Sequence, residues 1–205
     1  MSYTEIYAFG KDGKAFFVGE VRNAWSGAMA VWRLMEERHL PLYVPSWVDG
    51  TRWYRPGMSD EEMIQHIGYR PTRCTVHFNP ERDPMQDIWD LQNNKAIPVH
   101  ERICLYTTLD KALVKRENIP AVIEAFLDFG GDTSLPEQAS LLEDVLKDPD
   151  VIAVGWNQTS VCADTWANYG GYDTEKDESI PYNCLTGTDH FWIFDELDET
   201  EVKEK

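Results

Sequence analysis

The N-terminal stretch constrains the fold more than any other part of the chain. Two apolar runs, at residues 3–9 and 15–21, flank the turn Lys11-Asp-Gly-Lys14. Asp-Gly between apolar runs is a strong hairpin signal, because Gly13 can take the positive φ that a tight turn requires. The chain therefore contains at least one antiparallel strand pair, and we expect its sheet to be mostly antiparallel.

Later apolar patterns add three strands and three amphipathic helices. We predict strands at residues 101–107, 151–156 and 190–194, and helices at 24–39, 118–129 and 134–147. In the second of these helices the apolar residues recur at i, i+3, i+4, i+7 and i+8, which leaves the opposite side polar. Together these elements predict an α+β fold, with a mostly antiparallel sheet of about five strands and amphipathic helices on one face.

The length of 205 residues is enough for one sizeable hydrophobic core. We predict a single α+β domain over residues 1–194. Within it, residues 41–98 are broken up by prolines and glycines, and we interpret them as an irregular, partly helical insertion. Residues 195–205 form an acidic C-terminal tail, which we expect to fray.

Targeting and redox signals point to a cytoplasmic protein. No run approaches the roughly 20 apolar residues that a membrane span needs, and the N-terminus lacks the basic and apolar regions of a signal peptide. The four cysteines show no C-x2-C spacing, so we expect free thiols in a reducing compartment. No membrane association, metal or cofactor is expected.

The charge of the chain is concentrated in its C-terminal part. The formal net charge is −17; residues 1–120 hold 16 acidic and 15 basic residues, whereas residues 121–205 hold 20 and 4. Such a surface disfavours nucleic-acid binding through this half, because phosphate binding depends on Lys and Arg. It favours a basic protein partner or metal ions, although solubility alone would also explain it.

The long connection at residues 164–189 is the candidate binding region. Connections of this length without regular structure are uncommon in compact domains and are usually functional or disordered. Four large aromatic rings argue against disorder here, and aromatic residues dominate interface hot spots. The candidate binding residues are Trp156, Asn157, Ser160, Asp164, Trp166, Tyr169, Tyr172, Asp173, Tyr182 and Asn183.

An enzyme is the less favoured interpretation of the same region. The carboxylates and imidazole that could hold a hard cation are Asp164, Asp173, Asp189 and His190. Their spacing matches no EF-hand and no H-E-x-x-H motif, and adjacent residues in a strand point to opposite faces. A triad using Ser160 or Cys162 lacks the G-x-S-x-G elbow. The alternative function is therefore a metal-dependent hydrolase or a small-molecule-binding protein using residues 156–190.

Residues 52–82 carry a separate, basic pattern. Arg52, Arg55, Arg70 and Arg73 are interleaved with aromatic residues. This composition is typical of proteins that bind single-stranded nucleic acid. Several acidic residues dilute the pattern, so the favoured alternative is that these arginines pair with the acidic C-terminal half.

Two segments carry a family resemblance. One is Tyr3-Thr-Glu-Ile-Tyr-Ala-Phe-Gly with the downstream Arg22-Asn-Ala-Trp25, and the other runs from Gly155-Trp-Asn-Gln-Thr-Ser160 to Tyr182-Asn-Cys-Leu-Thr-Gly187. The chain resembles small uncharacterised proteins encoded by phages and prophages of Gram-positive bacteria. The resemblance implies a cytoplasmic accessory protein of a phage and transfers no active residues. With the charge pattern, it leads us to expect a protein that binds a basic protein partner through an acidic, aromatic C-terminal surface, for example as an inhibitor.

Overall fold

The computed structural model describes residues 3–23, 26–40, 42–43, 59, 61, 76–77, 84–159, 166 and 170–202. The chain divides into two compact units. The first combines Met1–Val31 with Gln92–Lys205, and the second is Trp32–Leu91. The second unit overlaps the predicted insertion at 41–98, but it begins and ends earlier in the chain.

A five-stranded sheet with the order β2-β1-β6-β5-β9 forms the centre of the first unit. Its strands are β1 (Tyr3–Gly10), β2 (Ala15–Arg22), β5 (Ala112–Lys115), β6 (Val151–Thr159) and β9 (Phe191–Trp192). The neighbouring pairs are antiparallel except for β5 and β9, which run parallel. The predicted α+β class and the mostly antiparallel sheet are therefore confirmed.

The predicted N-terminal hairpin is confirmed in detail. Gly13 has a φ of 79°, and its N–H donates to the carbonyl of Gly10 at 2.8 Å. β1 then lies in the interior of the sheet, between β2 and the later strand β6. Ile6, Ala8 and Phe9 of this strand are fully buried, so the hairpin supplies a central part of the core.

The structure contains six helices within its described residues. They are α1 (Ala28–His39), α2 (Pro84–Asp90), α3 (Val99–Tyr106), α4 (Ile119–Phe129), α5 (Leu135–Val145) and α6 (Ile193–Val202). The helices predicted at 118–129 and 134–147 are confirmed as α4 and α5, and α1 confirms most of the helix predicted at 24–39.

Helices α4 and α5 cover one face of the sheet through a buried tryptophan. Trp156 of β6 is fully buried, and its indole N–H donates to Oε1 of Gln138 on α5 at 3.1 Å. The ring of Phe126 on α4 meets the Trp156 ring edge-on, with centroids 6.1 Å apart. Because the buried N–H has a partner, this large side chain can fill the interface without an unsatisfied polar group.

The strand predicted at 101–107 is wrong, because this segment is helix α3. Every residue from Glu101 to Thr107 is buried. In a short segment that is buried on all sides, the alternation of Ile103 and Leu105 with their neighbours cannot distinguish a strand from a helix. The fifth strand lies instead at Ala112–Lys115, which the sequence analysis left unassigned.

The strand predicted at 190–194 is shorter than expected. The prediction that the tail frays from residue 195 onward is wrong up to Val202, because this part of the tail is helical. Only Phe191 and Trp192 are in β9, and α6 begins at the next residue. Ile193 and Leu197 of α6 are buried, one turn apart. Asp195 and Glu196 lie in the first turn of this helix, where negative charge stabilises the helix dipole.

The second unit contains a short parallel strand pair and a helix. β3 (Leu42–Tyr43) pairs with β4 (Val76–His77). Trp32 and Trp89 pack edge-on, with ring centroids 6.2 Å apart. Arg52, Arg55, Arg70 and Arg73 lie outside the described residues, so the nucleic-acid hypothesis stays a prediction. Among the described helices, none combines the length and hydropathy that crossing a bilayer requires.

Candidate functional site

The candidate binding region forms the second layer on the sheet. Trp166, Tyr182 and Cys184 pack in one cluster with Tyr7 and Phe9 of β1. The ring of Trp166 meets those of Tyr7 and Phe9 edge-on, with centroids 5.9 and 5.3 Å apart. Helices α4 and α5 lie on the opposite face, so the sheet is buried on both sides at this point.

Gly155 makes room for Trp166. A Cβ atom added at Gly155 would lie 2.4 Å from Cζ3 of Trp166, which is too close for any real side chain. Residues 155 and 156 are neighbours in β6, so their side-chain positions point to opposite faces. The small residue therefore accepts Trp166 on one face, while Trp156 fills the helical face.

Backbone hydrogen bonds join the same segment to the start of β2. Lys14 and Asn183 form an isolated antiparallel bridge. The N–H of Ala15 donates to the carbonyl of Tyr182, and the N–H of Cys184 donates to the carbonyl of Gly13, both at 2.9 Å. Trp166 and residues 182–184 of the connection are thus a structural layer of the domain, which gives two of its large rings a packing role.

The predicted binding residues do not converge on one surface. Four of them, Trp156, Asn157, Trp166 and Tyr182, are buried. Ser160, Asp164 and Tyr169 lie outside the described residues, and Tyr172, Asp173 and Asn183 remain at least partly exposed. The buried four contribute to packing, because a partner could reach them only if the layer opened.

Tyr172 and Asp173 belong to a small acidic hairpin. Strands β7 (Tyr172–Asp173) and β8 (Glu178–Ser179) pair antiparallel, and Tyr172 donates a hydrogen bond to the carboxylate of Asp177. Oδ1 of Asp173 accepts the backbone N–H groups of the next turn at 3.0 and 3.2 Å. Asp173 therefore stabilises a turn, while the ring of Tyr172 is 55% exposed.

A defined hydrogen-bond chain links Tyr182 and His190. The hydroxyl of Tyr182 accepts the backbone N–H of Asp189 at 3.1 Å, and it lies 2.6 Å from Nδ1 of His190. The phenol and the imidazole therefore share a hydrogen bond, in which the donor is set by the tautomer of the ring. Burial lowers the pKa of His190, and the nearby Asp189 carboxylate opposes this shift. Burial is the larger of the two influences, so the pKa is lowered and the uncharged ring is favoured.

Asp189 and His190 serve different partners. Oδ2 of Asp189 forms an ion pair with Nζ of Lys111 at 2.5 Å, whereas His190 turns to Tyr182. No group of three or more His, Cys, Asp or Glu side chains within the described residues is arranged to hold a metal ion. The proposed triad partners Ser160, Cys162 and Asp164 are outside the part of the chain that the structure describes.

A cleft of about 380 Å³ lies beside this hydrogen-bond chain. Its lining includes Asn183, Thr186, Thr188 and Asp189, together with Tyr182. The side chain of Asn183 is already engaged: it donates to the carbonyl of Asp12 at 2.9 Å and accepts the N–H of Leu185 at 2.9 Å. The cleft is large enough for a small polar molecule, but few of its polar groups are uncommitted.

A set of exposed acidic residues lies on α4, on α5 and in the turns that follow each of them. We call this the acidic helix surface; its exposed members are Glu124, Asp128, Asp132, Glu137, Glu143, Asp144, Asp148 and Asp150. Lys147 is the basic residue among them; it pairs with Asp144, and Lys11 pairs with Asp150. The other six acidic residues form no ion pair within the described residues.

The spacing of acidic residues in the sequence is a signal for the acidic helix surface, although the binding residues were predicted from other features. Glu124 and Asp128 are one turn apart on α4, opposite the apolar stripe that identified the helix. Leu127 lies between them and is 57% exposed. A helix that is apolar on one side and acidic on the other presents its charge as a continuous exposed face.

Comparisons of the chain with protein-family models, with curated proteins and with solved structures gave no match.

Proposed function

We propose that the protein is a phage-type accessory protein that binds a basic protein partner through the acidic helix surface. The observation that carries the proposal is the set of eight exposed carboxylates on and after α4 and α5, with Lys147 among them as counter-charge. Helices packed on a sheet hold these groups in fixed positions. A rigid surface of one charge sign is suited to recognising a surface of the opposite sign.

The charge would act mainly on the rate of association. Carboxylates of one sign on a single face produce a potential that steers an oppositely charged partner toward that face. At about 0.1 M salt the Debye length is roughly 10 Å, so the effect reaches beyond direct contact and weakens as salt rises. Exposed Leu127, at 57%, supplies an apolar contact within the same surface.

The proposed interface lies on α4 and α5, and the aromatic residues packed on the other face of the sheet have a structural role. Trp166 and Tyr182 are buried, so they hold the sheet in place without touching a partner. One concrete form of the function is an inhibitor whose carboxylates occupy the phosphate-binding surface of a nucleic-acid-binding protein. Such a target would present the Lys and Arg groups that phosphate binding uses.

A matched pair of charge-reversal variants tests the proposal. The surface variant carries Glu124→Lys, Asp128→Lys and Glu137→Lys, and the control carries Glu175→Lys and Glu178→Lys on the β7–β8 hairpin with Asp198→Lys on α6. Both variants change the net charge by the same amount. We expect tagged wild type and the control to capture the same basic protein from a Gram-positive bacterial lysate, and the surface variant to lose it.

Direct binding measurements on the captured protein decide the outcome. We expect the association rate with wild type to fall as salt rises, and the surface variant to bind at least about tenfold more weakly, a loss of 1.4 kcal/mol. Circular dichroism would establish that both variants fold. Equal binding by wild type and the folded surface variant would contradict the proposal.

The cleft of about 380 Å³ beside Tyr182 supports a second candidate, a small-molecule-binding protein. A ligand that prefers the native state raises the melting temperature, so a thermal-shift screen distinguishes this candidate from a protein-binding surface. Divalent cations belong in the same screen, because they test the metal-dependent alternative.

A further inference from the structure

Strand β2 is at the edge of the five-stranded sheet, and among the described residues only those at its start pair with another segment on that side. Its start pairs with residues 182–184, as described above. Farther along, Phe16 is 45% exposed and Phe17 is 51% exposed. Neighbouring side chains in a strand point to opposite faces of the sheet. The ring of Phe17 packs edge-on against Tyr7, with centroids 5.8 Å apart, whereas Phe16 lies on the face that carries helix α5. An aromatic side chain exposed on such a face is typical of a surface that another molecule covers.

An apolar groove lies between this edge and helix α5. It has a volume of about 340 Å³ and is lined by Phe16, Phe17, Val18, Leu141, Asp144, Val145, Asp148 and Val151. Gly19 lets the helix approach the strand, since a Cβ atom there would lie 3.0 Å from Cδ1 of Leu141. The volume is at the low end for ligand pockets, so it suits one or two side chains and not a folded domain.

The charge around the groove identifies its occupant as basic. Asp144 and Asp148 are part of the lining, and both belong to the acidic helix surface. Lys147 pairs with Asp144, but both side chains are at least 70% exposed, so solvent screens the pair and it adds little. A second copy of the chain, with a net charge of −17, would bring like charge to this groove.

The shape of the edge favours side-chain docking over addition of another strand. Tyr7 pairs with Phe17 and Ile6 pairs with Gly19, so Val18 is an extra residue that forms a β-bulge. Bulges and charged residues on an edge strand interrupt pairing with another strand. Exposed Glu20 and Arg22 follow the bulge. The side chain of Phe16 and the groove, and not the backbone of β2, are therefore the docking features.

We propose that the apolar groove anchors a short basic segment of the partner. One aromatic or aliphatic side chain of that segment enters between Phe16 and Leu141, and the Lys or Arg residues beside it face Asp144 and Asp148. This inference rests on the proposed function and deepens it, because it separates a specific apolar anchor from the general charge attraction of the acidic helix surface.

Two synthetic peptides test the anchor with the full-length protein. The probe is fluorescein-labelled Lys-Lys-Arg-Leu-Phe-Arg-Lys-Lys, and the control peptide has Ser-Ser in place of Leu-Phe, so the charge is unchanged. We expect fluorescence polarisation at 0.1 M salt to show about tenfold tighter binding of the probe, as the loss of one buried anchor typically costs over 1 kcal/mol. Amide NMR shifts should be largest for β2 and α5.

Protein variants locate the anchor. Phe16→Ser should abolish the difference between the peptides, whereas Leu185→Ser should retain it, because Leu185 is 61% exposed and is not in the groove lining. Both residues are exposed enough for the variants to fold. Equal affinity for the two peptides would overturn the groove inference and leave the charge-based function standing.

Two further outcomes would also overturn the inference. One is no binding of either peptide at millimolar concentration. The other is concentration-dependent dimerisation that Phe16→Ser abolishes, because a second copy would then occupy the groove. The proposed function fails by a different result, which is retention of the captured partner by the charge-reversed variant of Glu124, Asp128 and Glu137.

Discussion

At the scale of single residues, Gly155 and Trp166 form a packing pair that cannot be recognised from either residue alone. Trp166 was expected to be an exposed binding residue, because the long polar connection has no apolar periodicity that would indicate burial of its aromatic side chains. The information lay instead in Gly155, a residue without a side chain in the middle of a buried strand. Only the three-dimensional pairing of β6 with the connection shows that the missing side chain is replaced by the indole.

His190 gives the residue-scale prediction, which concerns pH. Burial lowers its pKa below the ordinary value of about 6.5, so the unfolded chain binds a proton more readily than the folded one. We expect the contribution of the neutral ring to stability to be complete above about pH 6.5 and to be lost as the pH falls through the folded pKa. Urea unfolding at pH 8, 6.5 and 5 would measure this.

Replacement of the imidazole provides the control for this prediction. His190→Gln keeps a hydrogen-bonding group beside the Tyr182 hydroxyl but does not titrate, so its stability should fall less between pH 6.5 and pH 5 than that of wild type. His100→Gln, in α3, serves as the matched histidine substitution. Parallel pH profiles for wild type and His190→Gln would show that His190 does not contribute.

At the scale of elements, prediction succeeded where burial was one-sided. α4 and α5 each have one apolar and one polar side, so the helical repeat of their apolar residues was visible in the sequence. Helix α3 is buried on all sides, which removes the contrast on which a period depends. Helix α6 was missed because its acidic composition suggested a frayed tail, although Ile193 and Leu197 anchor it.

The junction between α5 and β6 gives the element-scale prediction. The guanidinium of Arg116 donates to the carbonyls of Leu146, Asp148 and Val151 at 2.7, 2.6 and 2.9 Å. These carbonyls lie beyond the end of the helix, where a cation and hydrogen-bond donors are favourable. We expect Arg116→Met to lower the free energy of unfolding by about 1–3 kcal/mol, because carbonyls lose their partner.

Denaturant unfolding would measure this loss, with two variants for comparison. Arg116→Lys should recover only part of the stability, since an ammonium group cannot reproduce the planar fork that reaches three carbonyls. Arg22→Met, at an exposed position on β2, is the matched arginine substitution and should cost less than about 0.5 kcal/mol. Equal stability of Arg116→Met and Arg22→Met would contradict the assigned role.

At the scale of the whole molecule, the net charge of −17 is the dominant property. It was available from composition, and so was its concentration after residue 120. Composition could not assign the charge to a surface, because that requires knowing which side of each helix packs on the sheet. The structure places eight acidic residues on the outer side of α4, α5 and the turn that follows.

The whole-molecule prediction concerns salt. Like charges repel more strongly in the compact state, so screening should stabilise the fold. We expect the melting temperature to rise by several degrees between about 0.01 M and 0.3 M NaCl, with the surface variant of Glu124, Asp128 and Glu137 showing a smaller rise. A melting temperature that is independent of salt would indicate that the carboxylates do not repel one another appreciably.

The order of strands in the sheet has a consequence for folding during synthesis on the ribosome. β1 ends at Gly10, but its central partner β6 begins only at Val151. At about 5–20 residues per second, the ribosome needs roughly 7–28 s to make the intervening chain. Throughout that interval the inner edge of the first hairpin and its apolar side chains lack the strand that covers them in the folded protein. We expect nascent-chain chaperones to bind there.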